Sequence, residues 1–441
     1  MAALATPRTA DRRLVAVAYS GGRDSTALLH ACARQALSLD LSVIALHVHH
    51  GLSAHADDWL RHCELQCQAW AAADLPLRFQ ATQLTGQPAT GQSIEAWARH
   101  GRHVALSHMA SQAGATLLLL AHHQRDQAET LLLQGLRGAG VAGLAGMPAQ
   151  QWRNGLCWAR PWLGLPREAI ETYVQAHALT HIEDDSNGDV RFARNRLRLA
   201  VWPALLQAFP QAETSLAQAA TWAQQSLMLQ QEVAADDLLG LVDEVGLAIP
   251  ALLALSPARA SNALRAWLTT QLGRPAPATL VQRLLRELPA AQAAAWPCAG
   301  GALQLYRGRL QWLAVTAAMV SHPPALALDL SQVGFYPLPQ WHGGWQVERV
   351  AAGGVAIAVL QCLSVRARQG GEQFLLKPAG TRRSLKKVYQ AQGIPAWQRG
   401  APLLFAGDAL LYVPGLGVDA RFWAVADDQA QLSLTWRPDV V

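Results

Sequence analysis

"LVAVAYSGGRDSTALLHA", residues 14–31, changes character twice. Leu14 to Tyr19 is a run of small and β-branched apolar residues, as expected of a strand buried on both faces. From Asp24 onward Leu28, Leu29 and Cys32 recur at helical spacing, which predicts a helix to about residue 39. Between the two stand Ser20, Gly21, Gly22, Arg23, Asp24 and Ser25. A strand that passes through glycines and hydroxyls into a helix start makes an anion site. Glycine lets the backbone approach a ligand, hydroxyls donate to it, and the first helical N–H groups lack partners.

The same alternation continues outward. "SVIALHVHH" reads as a strand, "HADDWLRHCELQCQAWAAA" as a helix, "LRFQAT" as a strand and "SIEAWARHGRHVALSHMASQAG" as a helix. "TLLLLAHH" and "RDQAETLLLQGLRG" add a further strand and helix. Strands alternating with helices imply right-handed crossovers and an α/β fold with a doubly wound parallel sheet, whose ligands bind at the carboxyl ends of the strands. Residues 212–315 are rich in Ala, Leu and Gln at helical spacing, and from about 325 short apolar stretches are broken by Gly and Pro. The expected organisation is a catalytic domain at 1–210, a helical middle domain at 211–320 and a small basic α+β domain at 325–441.

Composition narrows the function classes. Apolar residues make up 51% of the 441, but no run approaches the roughly 20 needed to span a bilayer, and no apolar signal core opens the chain. A cytoplasmic location is expected, with no membrane partner. Six scattered cysteines without a CxxC exclude a disulfide scaffold, and Cys63 and Cys67, four apart, read as buried thiols. The net charge is +5, yet residues 366–399 alone carry eight Lys or Arg against one acid, Glu372. That segregation points to a polyanionic partner for the carboxyl end. Lysine occurs only as Lys377, Lys386 and Lys387, so no GxxxxGK[ST] phosphate loop exists.

The SGGxDS loop resembles the pyrophosphate loop of the PP-loop ATP pyrophosphatases, which cleave ATP to AMP and pyrophosphate without a Walker lysine. Further motifs narrow the likeness: "LHVHHGLSAHADDW" (46–59), "AHHQRDQAETLLLQGLRGAGVAGLAGM" (121–147), "EDDSNGDVRFARNRLR" (183–198), "RQGGEQF" and "SLKKVYQAQGIPAWQRGAPLLFAGDALLYVPGLGV". In order and spacing these resemble the tRNA(Ile)-lysidine synthetases, over about 14–205 and again about 362–420. That family activates the wobble cytidine of a CAU anticodon with ATP and replaces AMP with the ε-amine of free L-lysine. The resemblance implies ATP as cosubstrate, Mg²⁺, tRNA(Ile) and lysine as partners, and leaves the oligomeric state open, a homodimer included. A tRNA thiolase, a glutamine-dependent amidotransferase or an inactive tRNA-binding factor are rivals. Scattered cysteines argue against the first, the start of the chain so near the ATP loop against the second, and retention of the loop with its acids against the third.

The residues fit that chemistry. With a pKa near 10.4, only about one lysine ammonium in 2,500 is neutral at pH 7, a deficit of roughly 4.6 kcal/mol that a positioned acceptor must offset. Asp126 and Glu129, three apart in a helix that opens at a strand end, share one face and supply acids for lysine. His122 and His123 stand at the same strand end. Ser20, Gly21, Gly22, Arg23, Asp24 and Ser25 are assigned to ATP. Of Arg191, Arg194, Arg196 and Arg198, the resemblance singles out Arg194, Asn195 and Arg198 as its RNxxR, with Arg194 assigned to catalysis and Arg198 to lysine binding, and leaves open which of the two contacts lysine and which the adenylate. Arg99, Arg102, Arg366, Arg368, Lys386 and Lys387 are assigned to tRNA, with Lys377, Arg382 and Arg383 on the same basic surface and Phe374 and Tyr389 as stacking candidates. His49, His103 and Arg125 depart from the family pattern.

Overall fold

The computed structural model describes residues 13–51, 53, 55–86, 94–183, 188–298, 300–314, 324–424 and 431–439. Leu52, Ala54 and residues 184–187, which fall within two of the motifs, lie outside these. The chain divides into two compact units, Met1–Glu232 and Val233–Val441. No described helix is long and apolar enough to cross a membrane.

The first unit is built on β1 (Arg13–Ala18), α1 (Arg23–Ala36), β2 (Leu41–His49), α2 (Ala56–Ala72), β3 (Leu77–Gln83), α3 (Ile94–Gln112), β4 (Leu117–Leu119), α4 (Gln124–Leu136) and the short α5 (Val141–Leu144). The hairpin β5 (Gln150–Arg153) and β6 (Leu156–Ala159) follows, then α6 (Arg167–Ala176), α7 (Ala193–Arg196), α8 (Trp202–Ala208) and α9 (Ala212–Leu241), whose length spans the division between units. The sheet order is β3-β2-β1-β4-β6-β5, parallel throughout except for β5. The chain winds outward from β1 through β2 to β3 and then restarts on the other side with β4. The topological switch therefore lies between the carboxyl ends of β1 and β4, where the Ser20–Ser25 loop and α4, with Asp126 and Glu129, both emerge.

Alternation along the strands feeds two cores. Ala16, Ile44, Leu46 and Leu118 pack with Leu106, Met109 and Ala110 of α3, while Val17, Tyr19, Val43 and Ala45 pack with Leu28, Leu29, Cys63 and Cys67 of α1 and α2. The doubly wound expectation holds, and the two cysteines are buried free thiols, each pushed by burial up to about 12. The sequence pattern gives no β5–β6 hairpin, since strands of four residues are too short for periodicity to show. The hairpin turns through Asn154 and Gly155, both at positive φ (49° and 78°), as a two-residue hairpin requires.

In the second unit, helices Ile249–Ala254, Pro257–Leu272 and Ala278–Glu287 close over a core of Leu264, Leu268, Val281 and Leu284. That core also takes Trp296, Leu303 and Leu310 from a five-stranded antiparallel sheet that includes Ala293–Cys298, Gly301–Tyr306 and Arg309–Ala314. Helical texture does not extend that far, because cross-strand pairing overrides the helix propensity of alanine. The carboxyl end is β-rich, with a five-stranded and a four-stranded sheet around Trp345, Val347, Val365 and Leu404, and a two-stranded ribbon beside helix Leu385–Gln392.

Candidate active site

The loop after β1 is shaped before any ligand arrives. Ser20 N–H donates to Ser25 Oγ (3.2 Å), the two hydroxyl oxygens lie 3.0 Å apart, Ser25 Oγ donates to the Gly22 carbonyl (2.9 Å), and Thr26 Oγ1 donates to that of Gly21 (3.1 Å). Gly21 has φ of +83°, and a Cβ there would lie 2.3 Å from Ile182 Cδ1 and 2.7 Å from Cys63 Sγ. Only glycine fits, since Ile182 N–H binds the Gly21 carbonyl at 2.9 Å and closes the loop from below. Gly22 caps α1 without a side-chain bond, leaving the first-turn N–H groups to a ligand.

Asp24 points from this loop toward α4. Its Oδ1 accepts from Arg23 Nε (3.0 Å), and Arg23 in turn pairs with Glu171 (2.5 Å). Its Oδ2 lies 3.6 Å from His123 Nε2. Burial pushes this carboxyl up, but hydrogen bonding from His123 and the charge of Arg23 win, holding it down at about 2. His123 is buried, and its Nε2 is also 3.5 Å from Asp126 Oδ2, so one ring touches both carboxylates.

Asp126 is the third residue of α4, and its carboxylate accepts the N–H of His123 (3.2 Å), a first-turn acid that suits the positive end of the helix. Glu129, one turn on, is fully buried. Both are met by Arg198, whose Nε and NH2 reach Glu129 Oε1 and Oε2 at 2.6 and 2.8 Å and whose NH2 reaches Asp126 Oδ1 at 2.9 Å. Arg194 donates to Thr130 Oγ1 (2.9 Å) and approaches Glu129 Oε2 at 3.7 Å. A π-helical turn, Leu197–Val201, carries Arg198 between α7 and α8, the kind of widened turn that re-aims a side chain. Burial lowers the Arg194 pKa, whereas hydrogen bonding to Glu129 overcomes burial and raises that of Arg198.

The pyrophosphate-type loop, Asp24, Asp126, Glu129, Arg194 and Arg198, all predicted from the sequence, thus form one contiguous set linked through His123. Exposed Arg99 and Arg102 lie on α3, and Arg102, after burial, Arg160 and Arg194, helps to push His122 down to about 4. Other residues are spoken for locally. Arg191 forks onto Asp189 (2.7 Å at its NH2), Asn195 donates to the Asp189 carbonyl (3.1 Å), and Arg125 pairs with Glu213 (2.8 Å).

Three family models match the chain: a PP-loop domain over residues 1–205, a TilS substrate binding domain over 247–311 and a TilS substrate C-terminal domain over 363–436. The chain is 41% identical to the tRNA(Ile)-lysidine synthase of Burkholderia pseudomallei (strain K96243), over 97% of this chain and 94% of that one. It is 39% identical to the enzyme of that name from Pseudomonas aeruginosa PAO1, over 91% and 90%. The chain belongs to the tRNA(Ile)-lysidine synthases. Among solved structures, the U34-tRNA thiolase NcsA of Methanococcus maripaludis gives a TM-score of 0.41 at 12% identity, over 49% of this chain and 72% of that one, a likeness too slight to bear on function.

As a lysidine synthase the chain is an ATP-dependent ligase, and the site explains what its sequence left out. The sequence places His123 at the strand end but does not show it as the bridge between two acids. Thr130, the anchor of Arg194, and Ile182, the floor of the loop, went unmarked because their roles depend on partners 64 and more than 150 residues away along the chain. In the second unit, Phe374 and Tyr389 are corrected: both are buried in the core with Leu385, Val388 and Leu403 and offer no face to a base. Arg366 is bonded to Ser364 (2.9 Å) and the Gly407 carbonyl (3.0 Å) over the Phe405 ring, and Arg368 lies over Tyr389. Lys386 and Lys387, with Lys377, Arg382 and Arg383, stand exposed.

Proposed function

We propose that this site divides lysidine synthesis between two adjoining sets of residues. The loop Ser20 to Ser25 holds the β- and γ-phosphates of ATP while O2 of the wobble cytidine of tRNA(Ile) with a CAU anticodon attacks the α-phosphate. The O2–P bond forms and pyrophosphate leaves. The ε-amine of free lysine then attacks C2, the C2–O2 bond breaks, and AMP departs with the oxygen. Asp126 and Glu129 select the lysine ammonium and accept its proton as the amine attacks. Arg194 offsets the phosphate charge of the adenylate and of AMP as it leaves. Arg198 holds the two carboxylates in place and completes the lysine subsite. The exposed lysines of the carboxyl module grip the tRNA body.

Mg²⁺ fits Asp24: a single ionised carboxylate at the mouth of a phosphate loop is the usual protein share of a site completed by phosphate oxygens and water. Bound there, the ion would neutralise charge on the departing pyrophosphate. The reading puts the enzyme in the cytoplasm with its tRNA.

The observation that carries this reading is the unbroken chain from Asp24 through His123 to Asp126, Glu129 and Arg198. Incubation with ATP, radiolabelled lysine and tRNA(Ile) bearing CAU should attach label to the tRNA with AMP as co-product. ADP as product, or label from another amino acid, would overturn it.

A further inference from the structure

Beyond the acids and the loop, the first unit holds a second charged assembly. Arg160, at the carboxyl end of β6, is buried; its NH1 donates to the Pro148 carbonyl (2.9 Å), while its buried Nε has no hydrogen-bond partner and no ion pair to it occurs among the described residues. A buried guanidinium without a carboxylate is costly unless an anion arrives to meet it. Nearby, His103 of α3 lies flat on Trp158 of β6, centroids 4.8 Å apart and planes 9° from parallel. Trp158 and Arg160 share one face of the strand by alternation, and the register that sets Arg153 opposite Leu156 puts Arg153 on that face too. Burial first, then Arg153, Arg102, Arg99 and Arg160, push His103 down to about 4, so all four guanidiniums bear on this ring.

We propose that Arg99, Arg102, Arg153 and Arg160, gathered around His103 on Trp158, form a subsite for the RNA backbone phosphates that flank the wobble cytidine. The proposal rests on the lysidine-synthase reading above and deepens it.

Neither small substrate explains the group. The polyphosphate of ATP has its loop at the end of β1, and lysine has its acids on α4. Arg160 directly follows β6 and Arg153 ends β5, two and three strands from β1, roughly 10 to 15 Å away at sheet spacing. The set also runs from buried Arg160 to exposed Arg153 and Arg102. A small ligand is enclosed, whereas a strand of RNA enters from solvent and must be neutralised along its path. His103, neutral and backed by an indole, adds a flat surface that does not compete for the phosphate charge.

The test uses the full-length enzyme with two variants, Arg153→Ala and Arg160→Met. Arg153 is exposed, and its side chain donates to neighbouring Gln151, so that variant keeps the fold even if loss of buried Arg160 does not. Each should weaken tRNA(Ile) binding several-fold and reduce the slope of log affinity against log salt by roughly 0.7 for each phosphate no longer neutralised, with KM for ATP and lysine unchanged. Slopes equal to wild type would overturn the proposal. So would a raised KM for ATP or lysine with tRNA binding intact, which would assign the anion to the nucleotide or to the lysine carboxylate. A wild-type enzyme that attaches no lysine would instead remove the reading beneath it.

Discussion

Glu129 in the first unit and Asp419 in the second are both fully buried carboxylates met by an arginine fork. They differ in what else holds them. Asp419 accepts the backbone N–H groups of Arg421 (3.1 Å) and Leu375 (3.0 Å) besides the two side-chain bonds of Arg421. Although burial pushes its carboxyl up, the arginine fork and those amides hold it below the usual range. Among the described residues, each side-chain partner of Glu129 is an arginine: Arg198 at 2.6 and 2.8 Å, Arg194 at 3.7 Å. Backbone donors cannot leave without unfolding the chain; side-chain guanidiniums can shift enough to admit an ammonium beside them. Burial and an arginine partner therefore do not by themselves mark an active site. What sets Glu129 apart, on the proposed reading, is that its compensation is exchangeable.

The sharpest way to break this comparison is to remove each acid in turn. Asp419→Ala should cost about 3–5 kcal/mol of stability, because it strands Arg421 and two buried amides, and denaturant unfolding will read it. Asp24→Ala should lower AMP formation a hundredfold or more, about 2.7 kcal/mol or greater in the barrier, without comparable loss of stability. Glu129→Gln keeps one of the two acceptors that Arg198 uses, so it should cost less stability than Asp419→Ala, about 1–3 kcal/mol. Its lysine KM should rise roughly ten- to a hundredfold, about 1.4–2.7 kcal/mol, while some tRNA-dependent AMP formation survives. If Glu129→Gln instead unfolds like Asp419→Ala and leaves the lysine KM unmoved, Glu129 is architecture and the contrast collapses.

What the sequence showed and hid follows from how far apart the cooperating residues lie. The buried strands β1 and β2 announce themselves as continuous apolar runs, and the loop between β1 and α1 is local, so both were legible. Asp126 and Glu129 were legible because three residues on one helix is a fixed geometry. Arg198 was marked, but its fork across 69 and 72 residues onto those acids was not visible, nor was the pairing of Arg125 with Glu213 across 88. Tyr389 is a different lesson. Leu385, Val388 and Tyr389 already stand at i, i+3 and i+4, the spacing of a buried helix face, and that pattern outranks the basic residues between them. The β5–β6 hairpin, with Arg153 at its turn and Arg160 just past its end, has strands too short for periodicity, and its one local signal is the Asn154-Gly155 turn.

The comparison extends to the basic residues of the carboxyl module, with the smallest expected effect. Arg366 and Arg368 are engaged by their own fold, through Ser364, the Gly407 carbonyl and the rings of Phe405 and Tyr389. Lys386 and Lys387 are exposed at the start of helix Leu385–Gln392, a position that wastes charge against the helix dipole unless an external anion uses it. Replacing both lysines by Ala should leave stability within about 0.5 kcal/mol, since nothing buried depends on them. It should weaken tRNA binding and flatten the salt dependence by roughly 0.7 to 0.9 in log–log slope for each phosphate left without its lysine. The ATP site lies in the other unit, so KM for ATP should not move. Binding curves at several salt concentrations decide it: an unchanged slope would mean that these lysines, like Arg366 and Arg368, serve the module itself, and that tRNA is gripped by other residues.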